Sequence, residues 1–181
     1  MRYYINMKSI DAYIERVVAA HKTLMRRFAQ ENELQMVQIE IVQYLGQCNR
    51  YSDTAQALSE YLGQTKGSLS QSLSHLEDLG MIKREQDKHD KRVYHIELSA
   101  KGAHLARKFR NQIQYEGDSK QLSEALSKFL KHFQQVNNLK SFGICSTCKH
   151  NISVNSSKFI CGLTQESLSQ SDTELICREH E

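Results

Sequence analysis

Apolar positions return with a helical period along most of this chain. Residues 8–31 place Ile10, Ile14, Val17, Val18, His21, Leu24, Met25 and Phe28 along one side of a long amphipathic helix, which Glu31-Asn32-Glu33 interrupts. A second helix, Gln38 to Gly46, carries Ile39, Ile41, Val42 and Leu45. A third runs from Thr54 to Tyr61, capped by Ser52 or Asp53, with Ala55, Leu58 and Leu62 as its apolar stripe and Gly63 as its stop. After the Gly63-Gln64 turn, Leu69, Leu73 and Leu76 mark one stripe of a helix from Thr65 to Leu79, and Gly80 suits a left-handed C′ position. The opposite face is small and polar: Gly67, Ser70, Gln71, Ser74 and Asp78, flanked by Ser68 and His75.

At Met81 the period changes. Met81 to Gln86 and Arg92 to Leu98 read as two strands, the second alternating Tyr94, Ile96 and Leu98 on one face, joined by the charged tip DKHDK. Two helices around a tight turn, then a basic-tipped hairpin, make a winged helix-turn-helix. A helix face of hydroxyls and an amide suits a DNA major groove, where such groups reach base edges. Farther on, Ala103 to Tyr115 is helical, with Leu105, Ala106, Phe109 and Ile113 on one side. Glu116 to Ser119 forms a turn and cap, and Leu122, Leu126, Phe129, Leu130, Phe133 and Val136 form a further stripe. One domain of this size has little room to bury two long terminal helices, so a two-fold dimer through them is expected. Asn137 to Ser141 reads as a hinge, which divides the chain into residues 1–140 and a module at 141–181.

Asp90, Arg92, Leu98, Ser99 and Gly102 stand in the pattern D-x-R-x5-L-S-x2-G, preceded by LEDLGMIKR. This resembles the wing signature and recognition-helix exit of the MarR (multiple antibiotic resistance regulator) family, over roughly residues 10 to 136. Ser99 stands where that family usually has threonine, and keeps the hydroxyl that caps the next helix. Gln71 stands where the family often has arginine, so base reading differs. The resemblance implies that the first helix joins the dimer interface and that Asp90 orients Arg92 by an ion pair. It also implies that an effector, often a small phenolic or an oxidant, shifts the dimer away from the spacing DNA requires.

Charge sharpens this picture. The net charge of the 181 residues is only +3, but residues 65–110 hold ten Lys/Arg against six Asp/Glu. From Cys145 onward the balance reverses, with three against five. Proline and tryptophan are absent, and no stretch approaches the ~20 apolar residues of a membrane helix. The N-terminus has charges within its first apolar run and no small-residue cleavage site, so a cytoplasmic protein is expected.

Four of the five cysteines lie in the module, as C-x2-C-x12-C-x15-C: Cys145, Cys148, Cys161 and Cys177. Cys145-Ser-Thr-Cys148 reads as a metal knuckle, and Gly162 allows a similar turn after Cys161. About forty residues with so few apolar side chains rarely fold without a metal or disulfides. A reducing compartment favours metal. Zinc is the first expectation and an iron–sulfur cluster the alternative. A redox-active Cys145/Cys148 dithiol or a non-binding tail also remain open. Lys149, Lys158 and Arg178 are placed to offset the thiolate charge, and His150 and His180 are either replacement ligands or surface histidines. Cys48 reads as a small buried residue, with a thiol sensor as the other option.

The fold class expected is therefore mainly α with a small β-hairpin wing, a winged helix-turn-helix with N- and C-terminal dimerisation helices and a metal-stapled C-terminal module. The function expected is a homodimeric, sequence-specific regulator of transcription, a repressor, on a pseudo-palindromic duplex. Its DNA-binding residues are Lys66, Ser68, Ser70, Gln71, Ser74 and His75 on the helix, with Lys88, Asp90, Lys91 and Arg92 on the wing. The alternative is an interaction protein whose zinc module recruits a partner, DNA binding being secondary. An enzyme is not expected, because no nucleophile–base pattern or phosphate loop stands in the chain.

Overall fold

The computed structural model describes residues 9–88, 90–113 and 117–181. Its core is built around helix α2 (Met36–Leu45), which Gln38 opens by accepting the Gln35 N–H on its side-chain oxygen at 2.8 Å. Ile39, Ile41, Val42 and Tyr44 are wholly buried, so α2 is apolar nearly all round and acts as the central post. Helix α1 (Ser9–Glu31) touches that post only with its last turns, where Met25, Phe28 and Ala29 are buried. Ile10, Tyr13, Val17 and Val18 remain exposed. The helix ends where expected: the Asn32 amide donates to the Phe28 carbonyl at 2.7 Å and Glu33 turns left-handed at φ 55°.

Helix α3 (Ala55–Leu62) is capped by Thr54, whose hydroxyl accepts the Ala57 N–H at 3.3 Å, rather than by Ser52 or Asp53. Both of those side chains are committed elsewhere. The Ser52 hydroxyl donates to Asn49 Oδ1 at 2.8 Å, and Asp53 Oδ1 lies 2.6 Å from His95 Nδ1. The inward alanine is Ala57, rather than the expected Ala55, which is exposed. Gly63 closes the helix at φ 62°. Helix α4 (Lys66–Asp78) begins at Thr65, whose hydroxyl accepts the Ser68 N–H, and Gly80 follows it at φ 65° as expected.

The wing is an antiparallel pair, β1 (Ile82–Gln86) and β2 (Tyr94–Leu98), with Ile82 opposite Leu98 and Gln86 opposite Tyr94. Ile82 and Ile96 root it in the core. Helix α5 (Ala100–Arg110) starts three residues before the expected Ala103, because Ser99 both caps and tethers it. Its hydroxyl accepts the Gly102 N–H at 3.2 Å and donates to the Gly80 carbonyl at 2.7 Å. The helix ends at Arg110, leaving Ile113 exposed in the next turn; Tyr115 and Glu116 lie outside the described residues. Helix α6 (Ser119–Val136) is capped by Asp118 and buries none of its residues.

Past Asn138, which is left-handed at φ 52°, small antiparallel sheets form. β3 (Gly143–Ile144) pairs with β7 (Ile176–Cys177), and β4 (Asn151–Ser153), β5 (Lys158–Cys161) and β6 (Ser167–Ser169) form a three-stranded sheet. The four-residue α7 (Gln170–Thr173) links β6 to β7. This module is not held by the 137–141 connection alone. Phe142 is part of the main core, edge-on to Tyr44 and Tyr61. Ile176 donates its N–H to the Gln47 carbonyl and accepts that of Asn49, at 2.8 and 2.9 Å. The Arg178 guanidinium grips Glu60 of α3 at 2.6 and 2.9 Å.

Two junctions hold the wing, and each can be tested. A Cβ on Gly102 would run into the Met81 carbonyl oxygen and crowd Leu98, so Gly102→Ala must push α5 off the hairpin. A loss of about 1–3 kcal/mol is expected, read as a lowered midpoint in thermal or urea unfolding. The second junction is His95, whose ring bridges Asp53 at 2.6 Å and Asp87 at 3.1 Å. The Asp53 bond, aided by Asp87, raises its pKa above 6.5 despite burial. Burial outweighs the same bond at Asp53, whose own pKa also rises. The folded chain therefore prefers the imidazolium: its stabilisation is whole below 6.5 and is lost as pH rises through the elevated value. Unfolding midpoints measured up to about pH 9 should show this decline in the wild type and lose it in His95→Gln.

Candidate nucleic-acid interface

The roll of α4 decides what it offers. Leu69, Leu73 and Leu76 are all but inaccessible and face α2 and α3, which turns Lys66, Gly67, Ser68, Ser70, Gln71, Ser74 and His75 to solvent. Ser72 is the exception among the serines. It is buried, and its hydroxyl donates back to the Ser68 carbonyl at 3.4 Å. His75 is exposed but oriented from behind: the buried Gln38 amide donates to its Nδ1 at 2.6 Å. With Nδ1 accepting, the proton sits on Nε2, so the ring presents a donor outward.

On the wing, the Arg92 guanidinium grips Asp90 with two bonds, Nε to Oδ1 at 3.0 Å and Nη2 to Oδ2 at 2.9 Å, while its backbone N–H also donates to Oδ1. That pairing lowers the Asp90 carboxyl below its ordinary value and raises Arg92. Asp90 is itself braced, its N–H donating to Asp87 Oδ1 at 2.7 Å. The guanidinium stays 90% exposed, so the brace aims the charge without consuming it. Lys88 and Lys91 are exposed beside it, and Gln86 stiffens the tip by donating to the Lys91 carbonyl at 2.7 Å. Thus the expected helix and wing residues all reach the surface.

Arg84 is a member that sequence reasoning missed. From β1 it meets Glu77 at 3.2 Å and donates to Ser74 at 3.4 Å, tying the wing's first strand to α4. The available signal was an acidic residue and an arginine on either side of the Gly80 turn.

Around the module's cysteines the structure corrects several expectations. Arg178 and Lys149 are paired with Glu60 and Glu181 rather than directed at thiolates. His180 is no surface histidine: it is buried against Gly143, with Nε2 2.9 Å from Thr147 Oγ1. Burial draws its pKa below the ordinary imidazole value. Cys145, Cys148, Cys161 and Cys177 all line one cavity of about 30 Å³, together with His150, Asn49 and Tyr51. Burial, then the neighbouring Cys177, Cys148 and Cys161, push the Cys145 thiol up to about 11. Burial works to raise Cys161 too, but the Thr164 and Leu163 N–H groups and the Thr164 hydroxyl point at its sulfur and bring it below the ordinary thiol value. The four thiols are unbridged, and among the described residues no three His, Cys, Asp or Glu side chains stand close enough together to hold an ion as they are. Cys48 is half-buried against the main core, and burial pushes its thiol up to about 12.

The MarR family model matches residues 35–93, from the start of α2 through the wing tip. A mutant MepR from a multidrug-resistant S. aureus clinical isolate shares 22% identity and a TM-score of 0.57, over 71% of this chain and 100% of that one. The transcriptional regulator PA3341 gives 20% and 0.56 over 71% and 98%, and a MarR transcriptional regulator of Methanosarcina mazei Go1 gives 19% and 0.51 over 71% and 96%. A search of curated protein sequences finds no significant match. Residues 35–93 thus match the MarR family model, and over most of its length the chain has the winged helix-turn-helix fold of these solved structures.

Proposed function

We propose that the protein is a homodimeric, sequence-specific regulator of transcription that binds double-stranded DNA at a pseudo-palindromic site. The observation that carries this reading is the outward polar face of α4 standing beside an exposed, carboxylate-braced Arg92. Short hydroxyls and the Gln71 amide read base edges in the major groove, Gln71 by pairing with adenine. Lys88, Lys91 and Arg92 meet phosphates and the adjoining minor groove. Covering its site, the dimer acts as a repressor.

Dimerisation is supported by what the single chain leaves uncovered. Leu122, Leu126, Leu130, Phe133 and Val136 of α6 are 40–60% exposed, and Val17 and Val18 on α1 are 66 and 46% exposed. A second copy placing the same helices against these would bury both stripes about a two-fold axis. The double substitution Leu126→Asp/Leu130→Asp should leave helical circular dichroism intact and sediment as a monomer where the wild type sediments as a dimer. A wild-type monomer at all concentrations would sink this part of the reading.

DNA recognition is testable with duplexes selected from a random pool. Arg92→Ala should weaken binding to every sequence and reduce the slope of log affinity against log salt by about one. Gln71→Ala should leave the salt slope alone and flatten preference at one base pair per half-site, by about 1–3 kcal/mol. If neither change alters affinity or site choice, α4 and the wing are not the interface.

A further inference from the structure

The four cysteines of the module have no part in the DNA-binding reading, yet the fold brings them from four different places to the lining of one cavity. Cys145 begins the single 3₁₀ turn after β3, Cys148 follows that turn, Cys161 ends β5 and Cys177 ends β7. The pairings β3–β7 and β4–β5 bring them together: Gly143 lies opposite Cys177, and Asn151 opposite Cys161. Hydrogen-bond donors already face two of the sulfurs. Asn151 Nδ2 lies 3.7 Å from the Cys145 sulfur, and the chain turns after Cys161 so that the N–H groups of Leu163 and Thr164 face its sulfur. The Cys148 N–H closes the first knuckle onto the Cys145 carbonyl at 3.1 Å. A further sign is His150, whose Nε2 is shut off from solvent beside the same cavity with no hydrogen-bond partner; Glu181 Oε1 lies 3.7 Å away.

We propose that Cys145, Cys148, Cys161 and Cys177 bind one divalent thiophilic ion of the zinc class, and that this ion clamps β7 onto the loop between α2 and α3. As thiols the sulfurs have no reason to converge. Binding exchanges four S–H protons, released to solvent, for four bonds to a single cation, and draws the sulfurs inward. All four cysteines line one small cavity, and a single divalent ion takes four thiolates without needing bridging sulfides. Four thiolates already fill a tetrahedral shell, which leaves His150 beside the site as a donor to a ligand sulfur rather than as a ligand. The clamp follows from the chain: Cys177 lies between Ile176, hydrogen-bonded to Gln47 and Asn49, and Arg178, whose N–H donates to Ser52 Oγ at 2.8 Å and whose guanidinium holds Glu60. Asn49 and Tyr51 of the loop line the cavity itself.

The full-length chain, reduced and stripped of metal, should take up one equivalent of zinc with release of protons. Loaded with Co(II) instead, it should show the thiolate-to-metal charge-transfer and visible bands of a tetrahedral four-thiolate centre. Cys145→Ser/Cys177→Ser should lose both, and His150→Ala should keep both. Zinc loading should slow amide exchange at Asn49 and Ile176 by at least about tenfold while leaving α2 amides such as Val42 unchanged. None of these readouts involves DNA, so failure of the DNA-binding reading would not affect them. A reduced wild type that binds no zinc or Co(II), binding undiminished in the double serine variant, loss of metal in His150→Ala, or a brown protein carrying iron and sulfide would each overturn the site. Equal exchange at Asn49 and Ile176 with and without zinc would overturn the clamp.

Discussion

The burial of three leucines fixes what α4 presents to solvent. Leu69, Leu73 and Leu76 lie along one stripe of α4 and are at most 2% exposed, against a core that α2 fills from end to end. A helix pinned along such a stripe cannot roll, because turning it by one position would expose a leucine and bury a serine or Gln71. Polar groups left without partners in a core cost of order 1–3 kcal/mol each, and a leucine drawn out loses a similar amount. On the proposed DNA-binding reading, the chemistry that α4 offers is thus set by residues that never touch the duplex. The wing obeys the same logic at its root, where Ile82 and Ile96 enter the core and the Ser99 hydroxyl links the end of α4 to the start of α5.

The module extends this stiffening to the other side of the helix-turn-helix. The loop from Gln47 to Asp53 would by itself be a stretch of polar backbone feeding α3. Here it is paired to β7, pinned through Ser52 to the Arg178 N–H, and joined by Arg50 and Tyr51 to Glu166. Arg178 on Glu60 reaches the supporting helix itself, and holds the Glu60 carboxyl down to about 2. A tail that merely displayed a docking surface would not need to spend Phe142, Ile176 and Arg178 on the body of the protein. Its contacts belong to a brace, which weakens the reading of the module as a free recruiting arm.

Much of this was legible in the sequence because the signals were periodic or stereochemical. The leucine stripe of α4, the left-handed Gly63 and Gly80, and the serine cap before α5 each follow from local chemistry that tertiary structure did not override. The pattern D-x-R-x5-L-S-x2-G also turns out to be mechanical. Asp90 braces Arg92, Ser99 caps and tethers, and Gly102 lets the Met81 carbonyl lie against α5. What stayed hidden was long-range. Thr54 caps α3 because Asp53 is taken by His95 some forty residues on, and no local pattern shows that competition. The docking of the module is invisible for the same reason: its anchors, Phe142 and Arg178, meet partners about a hundred residues distant. His180 lacked any signal, since a histidine next to the last residue gives no hint that Gly143 leaves room for its ring.

The charges along α4 add a constraint on how such a helix could enter a groove. Lys66 opens it, while Glu77 and Asp78 close it, so the helix as a whole is slightly acidic. Two carboxylates near phosphates would oppose binding, and the helix dipole adds partial negative charge at that same end. The N-terminal half has the opposite character, with free N–H groups, Lys66 and the short side chains Ser68, Ser70 and Gln71. An N-terminus-first approach satisfies both ends at once, and it is how helix-turn-helix proteins generally place base-reading residues. Arg84 then acquires a purpose: paired to Glu77 and bonded to Ser74, it neutralises the one carboxylate that the wing would otherwise bring toward the backbone. With a net charge of only +3 per chain, affinity for any duplex cannot come from bulk electrostatics. It has to come from a few cations held in fixed positions, which is what the Asp90 brace provides for Arg92.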